Sequence, residues 1–256
     1  MAMKRLDPEA FQRTRDQIEE VIYVPEAAHL FGPSLENACR MAIGGLHLLS
    51  AGDQALQKTL VALERYRGRI FKLMSLFVQP SEPFSVISHG DFWINNMLFS
   101  YKKQGGEMAV QDVRFLDMQG ARYCSPAVDI LHFLYTSTFG EVRCRHHDEL
   151  LRAYHESLDG NFCRLVKGTP LEGQHAMSLD ELLNEVSERE LYGLFNGLWI
   201  MTAVTADVDN IPDLDNISLE DFHSEESLQT WINGQTPSYR RRTRELVLEY
   251  YEKGIM

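Results

Sequence analysis

The chain has 256 residues, 44% of them hydrophobic, enough to bury a substantial core in one large or two small domains. Its 25 basic and 37 acidic residues leave a net charge of −12, which argues against nucleic acid or an anionic membrane as partner, since either needs a basic face. Four cysteines without a CxxC pair read as reduced thiols of a cytosolic protein. The N-terminal MAMKRLDPEAF lacks the apolar stretch of a signal peptide, and no run approaches the ~18–20 apolar residues of a membrane span.

The elements before residue 80 are predicted to be helical. Pro8 to Glu20 is a short polar helix. Ser34 to Leu49 carries Leu35, Ala38, Met41, Ala42, Leu46 and Leu49 at helical spacing, with Gly44-Gly45 inside the pattern as a helix-packing feature. Asp53 caps a long helix through Leu56, Leu60, Leu63, Ile70, Leu73 and Phe77, ending before Pro80.

The middle changes character. Phe84 to Ser88 is a short strand. Met97 to Tyr101 and Met108 to Leu116 are the arms of a hairpin around the turn Lys102 to Glu107. Ser125-Pro126 then opens a helix to about Thr138, and His146 to Val166 is a second helix. Ser178 to Glu181 is a capping box for a longer helix through Leu182, Val186, Leu191 and Leu198. Asp207 to Glu226 holds eight carboxylates and no Lys or Arg. Pro212 and Ser218 stand where a calcium loop needs Gly and Glu, so a solvated loop is the better reading. Helices Glu225 to Asn233 and Pro237 to Lys253 close the chain, with Arg240, Arg241, Arg242 and Arg244 on the solvated face of the last. Cys144, His146, His147 and His155 are metal-capable neighbours, but their spacing fits no zinc pattern. The fold class is α+β, mostly α, with no parallel βαβ series and neither a GxGxxG nor a GxxxxGK[ST] loop.

The chemistry concentrates in VISHGDFWINNMLF, Val86 to Phe99. A simple turn has no need of His89, Asp91 and Asn96 together. Asp91 and Asn96 are five apart, His89 stands two before Asp91, and Asp117 follows one hairpin later. The protein-kinase catalytic loop H-R-D-L-x-x-x-N has the same Asp-to-Asn interval, with a metal-binding Asp after a hairpin. A carboxylate at Asp91 can accept or orient the proton of an attacking hydroxyl. The oxygens of Asn96 and Asp117 are hard ligands suited to Mg²⁺. Ser125-Pro126 follows Asp117 by only eight residues, which leaves no room for a phosphorylatable activation segment or a peptide-docking platform.

HGDFW-x-NN-x-LF, then LDMQ, then RY-x-SPA-x-DIL-x-FL, resembles the ecdysteroid kinase-like group of insects, within the choline and aminoglycoside kinase-like superfamily. The match is clearest from Ser88 to Ser137. It implies a fold like that of protein kinases and ATP-dependent, Mg²⁺-dependent phosphorylation of a small-molecule alcohol, ecdysteroids being the named class, in the cytoplasm. By the same resemblance Asp91 matches the catalytic base, and Asn96 and Asp117 the magnesium ligands that help to hold ATP. His89 matches the histidine that braces the loop, and Asp129 a buried acid that orients it from the following helix. Asn95 and Trp93 also match the pattern, without a role that physics assigns. His132, on the same helix, reads as a satisfied core histidine.

The resemblance covers the large lobe of a kinase and not the small one. The 88 residues before His89 read as helices, with no Gly-rich loop and no strand lysine; Lys4 and Lys58 lie in terminal or helical contexts. The expected organisation is thus a single kinase-like C-terminal lobe over 1–256: a helical lead-in at 1–80, the catalytic loop, hairpin and following helix at 84–137, and a helical substrate subdomain at 146–256. The small N-lobe is expected to be missing, leaving apolar surface exposed. A non-catalytic binding module is the main alternative. A metal-dependent hydrolase built on Asp91, Asn96 and Asp117 fits the ligands but explains neither the spacing nor the SPAxDI helix.

Overall fold

The computed structural model describes residues 1–205 and 224–256. The chain divides into two compact units that interleave along the sequence. One comprises Met1–Glu20, Gln79–Ser137 and Asp148–Glu188; the other comprises Val21–Val78, Thr138–His147 and Arg189–Met256.

The second unit is all helix among its described residues. It holds α3 (Ala28–His47), α4 (Gln54–Glu64), α5 (Ile70–Phe77), the first turns of α7 (Gly140–Leu165), α9 (Glu190–Val204), α10 (Glu225–Asn233) and α11 (Pro237–Glu252). α3 begins at Ala28 rather than the expected Ser34 and carries Pro33 within it. Asp53 caps α4, accepting from the Leu56 N–H at 3.0 Å. The single long helix expected from Asp53 to Phe77 is two: Gly68 at φ +73° sits between α4 and α5, a conformation that an α-helix does not contain. Apolar periodicity runs through the break because both helices bury Leu60, Leu63, Ile70 and Met74 in the same core. A Cβ on Gly44 would come within 2.6 Å of the Ile232 side chain, and one on Gly45 would overlap Gln235, so these glycines let α10 and its following loop lie against α3. The acidic stretch from Asp207 lies outside the described residues as far as residue 223; its last residues form the Ser224 cap and first turn of α10.

The first unit holds α1 (Ala2–Leu6) and α2 (Pro8–Arg15), four strands, α6 (Ala127–Ser137), the rest of α7, and α8 (Leu179–Ser187). β1 (Val86–Ser88) pairs antiparallel with β4 (Arg122–Cys124), Ser88 opposite Arg122. β2 (Met97–Gln104) and β3 (Glu107–Phe115) form a separate two-stranded ribbon, Met97 opposite Phe115. Its turn is shorter than Lys102 to Glu107: only Gly105 and Gly106 lie between the strands, both at positive φ, as a tight two-residue hairpin turn demands. The Ser178 capping box is present, but the helix it opens ends at Ser187, and α9 starts afresh at Glu190. Among the described residues no helix is long and apolar enough to cross a membrane.

Candidate active site

β1 and β2 belong to different sheets, so residues 89–96 are the crossing between them. The loop begins where Gly90 passes against Gly120, two residues before β4. Its φ is +81°, and a Cβ there would fall 1.7 Å from the Gly120 carbonyl oxygen, so only glycine fits. The loop ends in a 3₁₀ turn, Ile94–Asn96, that feeds β2.

α6 grips this crossing. Ser125 Oγ accepts the Ala127 N–H at 3.2 Å and Pro126 occupies the turn before the helix, so α6 starts sharply. Asp129 lies in its first turn. One carboxylate oxygen accepts the His89 N–H at 2.6 Å and the other accepts the Gly90 N–H at 2.9 Å. Burial pushes the Asp129 carboxyl above its ordinary range, against the pull of those two N–H groups. At the other end of α6, Ser137 Oγ accepts the Ile94 N–H at 2.9 Å.

His89 is buried and braces the loop against the ribbon. Its Nε2 donates to the Leu116 carbonyl at 2.7 Å, and its Nδ1 accepts the Asp91 N–H at 3.4 Å. Asp91 and Asn96 meet directly: Asn96 Nδ2 donates to the Asp91 backbone carbonyl at 2.9 Å and to Asp91 Oδ2 at 2.8 Å. With its nitrogen so engaged, the Asn96 side-chain oxygen is turned away from Asp91. The other carboxylate oxygen, Asp91 Oδ1, lies 3.6 Å from Nε2 of His132.

The Leu116 N–H donates to the Asn96 carbonyl at 2.9 Å, which closes the base of the ribbon and carries Asp117 back beside the loop. Asp117 is the one non-glycine residue at positive φ among the described residues, at φ 61° and ψ 64°. Left-handed backbone at a carboxylate is a small stored strain of the kind that clusters at functional positions. Gln119 Nε2 donates to Asp117 Oδ2 at 3.2 Å, and no hydrogen bond joins Asp117 to Asp91 or Asn96 among the described residues. The oxygens of Asn96 and Asp117 are the right chemistry for a hard divalent cation: an amide oxygen whose nitrogen is committed elsewhere and an exposed carboxylate.

An apolar cavity of about 430 Å³ lies behind the loop, walled by Phe92, Phe115, Ile130, Phe133, Leu151 and Tyr154, with His89 and Asp129 also in its lining. Burial, together with the Asp129 charge, raises the Tyr154 hydroxyl above its usual range. Asp91 is not among the wall residues, so the cavity alone does not place an acceptor hydroxyl at that carboxylate.

Three residues around the loop were not legible as part of it. Arg122 is 2% exposed and pairs with Glu20 at 3.3 Å; Ser137 gave no signal; and His132, expected to be a satisfied core histidine, is buried with neither ring nitrogen hydrogen-bonded. The metal-capable group at Cys144, His146, His147 and His155 does not converge. His155 Nε2 instead donates to the Met177 carbonyl at 2.9 Å. The side chains that do converge are Asp159, Cys163 and His175, where His175 Nδ1 and Asp159 Oδ2 bond to each other at 2.7 Å.

The model of the ecdysteroid kinase-like family matches residues 1–167. The chain belongs to the ecdysteroid kinase-like family. Neither a curated protein nor a solved structure matches it. Family membership points to kinase-like phosphotransfer on small molecules, and the family match takes in the whole loop, the ribbon and α6.

Proposed function

We propose that the chain supplies the large lobe of an ATP-dependent phosphotransferase whose acceptor is a small-molecule alcohol, an ecdysteroid or another lipophilic hydroxyl compound, in the cytoplasm. The observation that carries this reading is the coupled pair Asp91–Asn96, held by α6 and set beside a left-handed Asp117. Asp91 orients the acceptor hydroxyl and takes its proton. Asn96 and Asp117 would hold Mg²⁺ through their oxygens, and the ion would supply charge neutralisation at the transferring phosphoryl group. Asp129 and His89 keep the loop in register, so that Asp91 meets the hydroxyl without rearranging. Residues 146–256 are the segment we assign to acceptor recognition.

A second reading, a kinase-like binding module without turnover, has its own support. No strand precedes Val86 among the described residues; Lys4 is engaged by Glu82, and Lys58 lies exposed on α4. Residues 1–85 therefore supply no strand lysine to the loop, a group that usually contributes electrostatic stabilisation in phosphoryl transfer. Calorimetry with MgATP, followed by turnover assays on a panel of lipophilic alcohols, separates the two. The phosphotransferase reading expects Mg²⁺-dependent ATP binding, and turnover that Asp91→Asn lowers by about 10²–10⁴-fold. ATP binding that ignores Mg²⁺, or turnover indifferent to Asp91→Asn, overturns it.

A further inference from the structure

His132 faces the catalytic loop without an assigned role. It is 3% exposed, neither ring nitrogen has a hydrogen-bond partner, and Nε2 points at Asp91 Oδ1 from 3.6 Å. Native structures leave few buried polar atoms unpaired, and those that persist call for a cause at their site. Here the cause is adjacent. Asp91 has two carboxylate oxygens, and only Oδ2 is held, by Asn96.

We infer that His132 is a positioning residue for Asp91, a neutral imidazole whose Nε2–H closes on Oδ1 when the acceptor is bound and fixes the carboxylate plane. This rests on the phosphotransferase reading for its catalytic half, but not for its structural half.

Four points support it. At 3.6 Å the contact is too long for a hydrogen bond, yet such bonds are commonly long in empty sites and tighten once substrate is present. Of the two neutral tautomers, Nε2–H aims the donor at the carboxylate and leaves only an acceptor unpaired at Nδ1. The ring stays uncharged: burial, aided by the nearby Arg122 and His89, lowers its pKa to about 3. A neutral donor orients Asp91 without cancelling the negative charge that makes it a proton acceptor. Finally, Asp129, His132 and Ser137 lie on one side of α6, so a single helix holds the loop at 89–90, at 91 and at 94.

The test has two arms. In the first, the protein is labelled with ¹⁵N-histidine and its imidazole nitrogens are read by NMR, with His132→Gln giving the assignment. His132 is expected as the neutral Nε2–H tautomer from about pH 6 to pH 8, and Asp91→Asn is expected to shift its Nε2 resonance. An imidazolium or an Nδ1–H tautomer at neutral pH, or no response to Asp91→Asn, refutes the inference whatever the enzyme does. In the second arm, His132→Phe lowers kcat about tenfold or more with KM for MgATP nearly unchanged, and His132→Gln, which keeps an N–H donor, recovers most of it. A glutamine variant no better than phenylalanine overturns the positioning role. Absence of any turnover in the wild type counts against the phosphotransferase reading instead, and the NMR arm still decides the His132–Asp91 contact.

Discussion

Replacing Asp129 by asparagine is the sharpest perturbation of this site. The wild-type carboxylate accepts two backbone N–H groups at 2.6 and 2.9 Å from within the first unit. Asparagine keeps one accepting oxygen and turns an NH₂ toward the other N–H, donor against donor. One charge-assisted bond weakens to a neutral one, and one buried N–H loses its partner. Hydrogen bonds to charged groups contribute about 1.5–3 kcal/mol and an orphaned buried donor costs about 1–3 kcal/mol. Removing a buried charge returns part of its desolvation penalty, which is the reason the Asp129 pKa is raised. The expected net loss is about 2–3 kcal/mol, and about 3–5 kcal/mol for Asp129→Ala, which orphans both donors. Urea unfolding measures the total, while hydrogen exchange at the His89 and Gly90 amides reads the loop directly. If Asp129→Asn unfolds within 0.5 kcal/mol of wild type and leaves those two amides as protected as before, Asp129 does not hold the loop and the reasoning fails.

Gly90→Ala forces a Cβ onto the Gly120 carbonyl at a positive φ, and is expected to destabilise by about 2–4 kcal/mol in urea; a loss below 1 kcal/mol would mean that Gly120 does not lie against Gly90 as described. Asp117→Gly relieves left-handed backbone, so it is expected to leave stability unchanged or raise it by about 0.5 kcal/mol while abolishing Mg²⁺-dependent ATP binding; a clear destabilisation contradicts the strain assignment. Burial pushes Glu249 up, but Arg143, bonded through Nε at 2.9 Å and Nη2 at 2.7 Å, and then Lys253 hold its carboxyl below the ordinary range. Its contribution is therefore complete above the ordinary glutamate range and disappears as pH falls through the lower folded value. Glu249→Gln should thus cost about 1–2 kcal/mol at pH 7 and converge on wild type in strong acid, and a gap that persists below pH 3 refutes the linkage.

The features legible in sequence were those with local causes. Asp53 and Ser178 are caps whose partners lie within one turn, and both are seen in the structure. The Asp91-to-Asn96 interval was legible, but not that the Asn96 amide bonds the Asp91 carboxylate through a 3₁₀ turn. Asp129 announced itself as a carboxylate in an apolar helix that needed partners, but not that the partners are backbone N–H groups forty residues back. The failures have non-local causes. β4 is three residues long, exists only by pairing with β1, and left no alternation to detect. The break after Glu64 was hidden because α4 and α5 present the same apolar spacing to one interior, and the break after Ser187 because apolar spacing runs on from α8 into α9 although the two helices belong to different units. His132 looked satisfied because its position on an apolar helix says nothing about where its nitrogens point.

The β2–β3 ribbon has a consequence for handling the protein. Its strands run eight and nine residues, and among the described residues each pairs only with the other, leaving both outer edges open to them. Leu98, Tyr101, Met108, Val110 and Phe115 are more than half exposed along it. Such a ribbon is a template for a further strand, and charged neighbours such as Lys102, Lys103, Asp112 and Arg114 act as its gatekeepers. Their protection is electrostatic. At about 0.1 M salt charges are felt over roughly 10 Å, but at 1 M over only about 3 Å. Concentrated salt removes the guard while strengthening the pull between apolar faces, so colloidal stability in this chain is set by ionic strength before it is set by unfolding.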